Sequence, residues 1–385
     1  MRLTTGLIFA MALSALLWRV PGLDFFLASP DHGYQLAMGR QITLGKIPFV
    51  DIFWDYGPLA GYVSAIALWL TGSLLGEAIT CAIGYALAIA LVFRLVQAYG
   101  STTGAVFCAA ISYICLARFY KWYYWLFPLL GLWCYHLVLS RDERNVARQY
   151  VWGGLFAGIA ALFRFDLGLA CSGFYLVVIL GGAVVTEHHR RWVRNLVAFG
   201  IGNAIPVGAW LLFLSLSTGA ASVWDYLAGT AYGIGDAVTH WSLPFPEFDW
   251  QNPLSHPSAL FMTFLLAIVT NLGAVCTGLG GLLLNRGEES KNLFMTGTGI
   301  AALGLMPQAL YRPDVHHLLQ VIPPTLVAGG ILGTTVWHYR SLAPPGLRLH
   351  SLTRGTMVLV LVLCCVCMLT LRKGFGIDLE GLDAR

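Results

Sequence analysis

Apolar runs long enough to span, or nearly span, a bilayer, for which a helix needs about 20 residues, recur along nearly the whole chain. They fall at roughly 3–23, 58–75, 78–98, 102–117, 123–140, 151–163, 167–186, 196–217, 258–284, 293–310, 317–337 and 356–371. Of 385 residues, 57% are hydrophobic and 11% charged, whereas soluble domains are about a quarter charged. A soluble globule has no place to hide that much apolar surface. A soluble enzyme, a disulfide scaffold and a disordered tail are therefore excluded. The expected fold is all-α: a polytopic membrane protein with about 11–13 transmembrane helices and an amphipathic juxtamembrane helix in the first outer loop. Residues 1–372 form one transmembrane module with outer loops 24–57 and 219–257, and 373–385 form a short tail. The 23 Lys and Arg barely exceed the 19 Asp and Glu and sit in short loops, not on one basic face, so nucleic acid is not expected as a partner.

The nine cysteines, Cys81, Cys108, Cys115, Cys134, Cys171, Cys276, Cys364, Cys365 and Cys367, all lie inside apolar stretches at no metal-binding spacing. They read as small buried hydrophobes. The first apolar run lacks a small-x-small cleavage site and continues into Arg19 and Pro21, which favours an uncleaved first helix over a signal peptide. Positive charge clusters in four loops: Arg141, Arg144 and Arg148; Arg190, Arg191 and Arg194; Arg286 and Lys291; Arg340, Arg348 and Arg354. The positive-inside rule places these in the cytoplasm. The connections holding Arg164 to Asp166, residues 219–257 and Arg312 to His317 then face outward. Four apolar runs separate the outward loop ending near Gly57 from the inward Arg141, where an odd number is required. One run must fail to cross, and 102–117 and 123–140 are the first candidates. Phe119, Tyr120, Trp122, Tyr123, Tyr124 and Trp125, beside Arg118 and Lys121, read as an interfacial aromatic belt.

In the loop 24–57, the spacing of Tyr34, Ala37, Met38 and Ile42 predicts a helix from about Gly33 to Leu44 along the membrane surface, with Gly45 as its C-cap. Ionisable groups are costly near a membrane, so outward clusters beside helix ends are the first functional candidates. They are Asp31 with His32; Asp51, Asp55 and Tyr56; Arg164 with Asp166; and Arg312, Asp314, His316 and His317. Each has a structural reading as well. Asp31 suits a helix N-cap, and Asp55, three residues before Pro58, suits a helix dipole. Arg164 and Asp166 can simply neutralise one another. His316 and His317 are adjacent, which suits one metal poorly, and His240 in the later loop is a weaker candidate. Together the clusters would supply a carboxylate base and several cations to one pocket, the mixture a phosphoryl-bearing substrate needs.

Ser29-Pro30-Asp31-His32-Gly33-Tyr34-Gln35 through Arg40, then Gly45-Lys46-Ile47-Pro48-Phe49-Val50-Asp51, then Asp55-Tyr56-Gly57-Pro58-Leu59-Ala60-Gly61-Tyr62, resembles the first outer loop of GT-C membrane glycosyltransferases. The pattern is similar to the bacterial branch holding lipid A aminoarabinose transferases and protein O-mannosyltransferases. Arg164-Phe165-Asp166-Leu167-Gly168 and Arg312-Pro313-Asp314 with its following histidines also resemble segments of that group. The resemblance covers about 50 residues near the N-terminus and departs at His32, where a second acid is usual, and at Tyr56-Gly57, where a basic residue is usual. It implies a polyprenyl-phosphate-linked sugar as donor and a glycan, lipid or protein acceptor, within a bacterial inner membrane. It further implies Asp31 and Asp55 as catalytic carboxylates; Arg164, Arg312, His316, His317 and Lys121 are then the candidate ligands of the donor phosphate. His32, Asp51, Tyr56, Asp166, Asp314 and His240 would support them. It leaves the cofactor undetermined, with a divalent cation open. A transporter or flippase of a lipid-linked sugar would need the same phosphate-binding groups without a base, and a membrane scaffold would need none of them. The aromatic segment 219–257 can serve as an acceptor lid or as an interfacial plug.

Overall fold

The computed structural model describes residues 2–18, 30–52, 56–116, 119–140, 145–185, 191–240, 243–253, 255–284 and 288–341. Among these there is no strand, only a lone bridge between Pro48 and Ile52. The helices are α1 (Arg2–Trp18), α2 (Pro30–Thr43), α3 (Pro58–Thr71), α4 (Leu74–Tyr99), α5 (Thr102–Ile114), α6 (Tyr123–Ser140), α7 (Val146–Phe163), α8 (Phe165–Val185), α9 (Trp192–Thr218), α10 (Ala220–His240), α11 (His256–Leu283), α12 (Glu289–Tyr311), α13 (Val315–Val321) and α14 (Pro323–Ser341). Each apolar run of the sequence within the described residues becomes a helix. The run at 356–371, the tail, Cys364, Cys365 and Cys367 lie outside them. Five helices, α4, α7, α9, α11 and α12, are long and apolar enough to cross a membrane, and α13 with α14 makes a sixth, bent by 62°. Helices α1, α3 and α5 and most of α8 are apolar over shorter stretches. The chain is an all-α polytopic membrane protein.

The bend between α13 and α14 has a covalent cause. Pro323 and Pro324 lack the N–H groups that would pair with the carbonyls of Leu319 and Gln320. The indole Nε1 of Trp125 donates to the Leu319 carbonyl instead, at 2.8 Å.

Helices α3 and α5 are short: 14 and 13 residues reach about 21 and 20 Å, less than a hydrocarbon core of about 30 Å. Helix α5 starts after Ser101, which faces Thr334 of α14. Helix α6 ends with the Leu139 carbonyl facing Ser290, in the first turn of α12. Helix α4 carries Glu77 in its first turn, beside His32, and ends with Tyr99 against His136. Of the four described helices from α3 to α6, α4 is the one long and apolar enough to cross a membrane.

Helix α3 forms a hairpin with α2. A Cβ on Gly39 would lie 3.0 Å from the Ala65 nitrogen, and one on Gly61 would lie 2.8 Å from Met38. The face of α2 that packs differs from the expected one: Tyr34 and Ala37 are exposed, whereas His32, Gln35, Met38 and Gly39 are buried. His32 and Gln35 can take the packed face because Glu77 and Ser64 await them there. Gly45 closes the helix in the left-handed region with φ 84°, its N–H donating to the Ile42 carbonyl.

Two further expectations change. The segment 219–257 is not all loop, since α10 occupies its first half and packs Tyr226 against Phe49 and Trp210. The aromatic stretch before α6 is not an interfacial belt: Tyr120, Trp122, Tyr123, Tyr124 and Trp125 are buried, as is Lys121. It is covered by other helices, its rings packing on Phe163, Tyr85 and His32. Of the six described cysteines five are buried, as expected of small hydrophobes, but Cys276 is exposed.

Candidate functional site

The buried aromatic turn gathers charged groups from four distant parts of the sequence at one end of the bundle. Asp31 lies in the first turn of α2, where its charge complements the helix dipole. It does more than the capping reading asks, because its Oδ2 accepts from the Tyr120 hydroxyl at 3.1 Å, 89 residues away. The His32 ring stacks on Tyr120 with centroids 5.0 Å apart.

Lys121, only 2% exposed, sits over the faces of Tyr120 and Tyr56, 5.6 and 5.5 Å from their centroids. The faces of two tyrosine rings are a favourable setting for a lysine head group there. Tyr56 also faces Arg164, whose guanidinium lies 5.3 Å from the Tyr56 centroid and 5.7 Å from that of Tyr124. Arg164 also pairs through Nε with Asp166 at 3.1 Å. Gln308 of α12 donates to both Asp166 and Tyr124.

Tyr56 reaches Arg164 because the backbone of residue 57 lies on the end of α7. The Gly57 N–H donates to the Phe163 carbonyl at 2.9 Å, and a Cβ there would fall 2.1 Å from the Leu162 oxygen. Only glycine fits.

The fourth contribution comes from the connection between α12 and α13. Arg312 pairs through Nε with Asp314 at 3.4 Å. Asp314 caps α13 by accepting from the His317 N–H, and it also takes the His317 ring at 2.9 Å. Lys121 and Arg312 both act electrostatically on His317, which joins this connection to the aromatic turn, and His316 acts on Asp314. Both arginines use Nε for their aspartates. Among the described residues the terminal nitrogens of neither reach a carboxylate, so a further anion can be held in the fork.

Burial alone would raise the Asp314 carboxyl. The hydrogen bond and charge of His317, with a smaller effect of His316, outweigh it and hold Asp314 at about 2. Its folded value is below the unfolded one of about 3.9, so the stabilisation is lost as pH falls through about 2. A shift of this size is worth about 2 kcal/mol. The part due to the charge of the histidines fades as they lose their protons toward pH 7, so we expect Asp314→Asn to lower stability by at most about that amount, most in mildly acidic solution, and to lose its effect near pH 2. Thermal unfolding of the detergent-solubilised protein across this range checks it; equal destabilisation at both ends would contradict the assignment.

The structure therefore brings together Asp31, His32, Tyr56, Lys121, Arg164, Asp166, Arg312, Asp314, His316 and His317. It does not bring in Asp51, which is exposed and whose Oδ2 accepts from the Ile47 N–H at 2.8 Å, closing its own turn. Asp55 and the side chain of His240 lie outside the described residues. Sequence reasoning missed Tyr120, Tyr124, Gln308 and Glu77. The first two were hidden in a belt-like aromatic run and the last two inside apolar helices, where a lone polar residue is itself a signal. Among the described residues no three His, Cys, Asp or Glu side chains are placed to share a metal. An open apolar groove between α8 and α9, lined by Ser172, Leu176, Phe199, Asn203 and Val207, is separate from this cluster.

No protein-family model, curated protein or solved structure matches this chain.

Proposed function

We propose that the chain is a membrane glycosyltransferase that moves a sugar from a polyprenyl-phosphate donor to an acceptor hydroxyl. The observation that carries this reading is the convergence of the Asp31 carboxylate, which accepts from Tyr120, with Lys121, Arg164, Arg312 and His317 at a single end of the bundle. That end lies opposite Arg148, Arg191, Arg194 and Lys291, which stand at the far ends of α7, α9 and α12. By the positive-inside rule the cluster then faces outward. Nucleotide sugars are cytosolic, so an outward site calls for a lipid-linked donor, and the resemblance of the first outer loop to GT-C enzymes points the same way.

In this mechanism Asp31 takes the proton of the acceptor hydroxyl as its oxygen attacks the anomeric carbon. The bond from that carbon to the phosphate oxygen breaks, the lipid phosphate leaves with the electron pair, and the anomeric configuration inverts. Arg164, Arg312, Lys121 and the histidines stabilise the charge gathering on the phosphate. Asp166 and Gln308 hold Arg164 in place. The acceptor is a hydroxyl of a glycan, lipid or protein.

The test is turnover of a radiolabelled polyprenyl-phosphate sugar by the purified protein in lipid nanodiscs. Transfer to an acceptor supports the reading, and movement of the lipid between leaflets of a proteoliposome without transfer overturns it. The second outcome belongs to a carrier of lipid-linked sugars, which one observation favours: the broken span at α13 and α14 holds the Gln320 amide buried with no hydrogen-bond partner among the described residues, and transporters place their sites at such breaks. The phosphate role has its own check. Arg164→Ala should weaken binding of polyprenyl phosphate about tenfold or more, and Arg164→Lys should restore little, because a lysine cannot span Asp166 and the two tyrosine faces. Undiminished binding in both variants would remove Arg164 from the phosphate site.

A further inference from the structure

Behind Asp31 lies a second carboxylate that the proposed chemistry does not use. Glu77, in the first turn of α4, is 2% exposed. Its Oε1 lies 3.6 Å from His32 Nε2 and accepts from Gln35 Nε2 at 3.2 Å. Gln35 Nε2 is also 2.9 Å from Ser64 Oγ. The other oxygen, Oε2, is buried with no hydrogen-bond partner among the described residues. A helix-dipole role would explain a glutamate at this position if it were exposed, but it does not require burial of the charge.

The backbone is built to bury it. A Cβ on Gly76 would fall 2.2 Å from the Ala67 carbonyl oxygen, so the first turn of α4 lies directly on α3 and turns Glu77 inward toward α2. From there the contacts run in one direction. Glu77 faces His32, the His32 ring stacks on Tyr120, and the Tyr120 hydroxyl donates to Asp31.

We propose that Glu77 is a positioning residue: its buried carboxylate fixes the His32 ring, and through the stack on Tyr120 it fixes the carboxylate of Asp31. The inference rests on the reading of Asp31 as the base only for its effect on rate, since the positioning can be measured without turnover.

The experiment modifies the full-length protein in nanodiscs with a water-soluble carbodiimide and glycinamide, and quantifies the amide formed at Asp31 by peptide mass spectrometry. Tyr120→Phe should raise modification of Asp31 several-fold by releasing it. Glu77→Gln should raise it by a similar factor, and the double variant should exceed neither single variant, because both act on one chain of contacts. Wild-type labelling in Glu77→Gln, or a double variant equal to the product of two independent rises, overturns the proposal. Should Glu77→Gln fail to give a monodisperse helical protein, Glu77→Asp, which keeps the charge but shortens its reach, should give an intermediate rise; labelling at the wild-type level there overturns it as well. Where transfer is observed, Glu77→Gln should lower kcat about tenfold with KM for the donor unchanged. A fall in kcat for Asp31→Asn without one for Glu77→Gln overturns the positioning role alone. Absence of transfer in the wild type overturns the enzymatic reading and leaves the labelling result to decide this one.

Discussion

Asp31→Asn should lower the rate of sugar transfer by about 10²–10⁴-fold, the contribution of a positioned general base, while donor binding stays at its wild-type level. Asparagine matches the carboxylate in shape and still accepts from the Tyr120 hydroxyl, so the packing of α2 on α3 survives. What is lost is the ability to take a proton from an attacking hydroxyl. Tyr120→Phe provides the graded companion: it deletes one hydrogen bond to a charged acceptor, worth about 1.5–3 kcal/mol, and should slow transfer about tenfold to a hundredfold. Steady-state kinetics with separate measurement of donor affinity checks both. A full rate in Asp31→Asn would end its assignment as the base, whichever way the other residues behave.

The largest structural effect is expected at Gly57. In Gly57→Ala the new methyl carbon would stand 2.1 Å from the Leu162 carbonyl oxygen and 2.8 Å from the Phe163 carbonyl carbon. These are backbone atoms at the end of α7, with no side chain to rotate away. The start of α3 must then lift off α7, breaking the Gly57 N–H bond to the Phe163 carbonyl and carrying Tyr56 away from Arg164. Overpacking of this kind costs about 1–3 kcal/mol and more where nothing yields. Thermal unfolding should show a clearly lowered midpoint, and polyprenyl-phosphate binding should weaken with it. Gly33→Ala is the control, because apart from the backbone of its own helix no heavy atom lies within 4 Å of a Cβ there. Equal midpoints for the two variants would mean that the close approach of residue 57 to α7 is not needed.

The elements of the site differ in how readable they were. Asp31, Arg164, Asp166, Arg312, Asp314 and the paired histidines stood out because each is ionisable beside an apolar run, where burial without purpose is costly. Glu77 and Gln308 did not, since each sits alone within a helical stretch and its partner comes from another helix. The aromatic run before α6 was misread for a related reason. Tyr and Trp favour membrane interfaces and bundle cores alike, and only the packing against Phe163 and Tyr85 shows which applies. The face of α2 was misjudged because apolar spacing carries no information about a buried Glu77 waiting for His32 and Gln35.

The sequence by itself determined that the chain is a helical membrane protein and where its helices run. That follows from the bilayer, which demands a local property: enough consecutive apolar residues with every backbone group bonded inside the helix. It also determined, through positive charge, which connections share a side. Only the tertiary structure decided that α3 packs against α2 as a hairpin, and that Asp31, Lys121, Arg164 and Arg312 share one cluster. Those outcomes depend on contacts between residues far apart in the chain, such as Gly57 on Leu162 and Tyr120 on Asp31, and no local pattern of hydrophobicity encodes them.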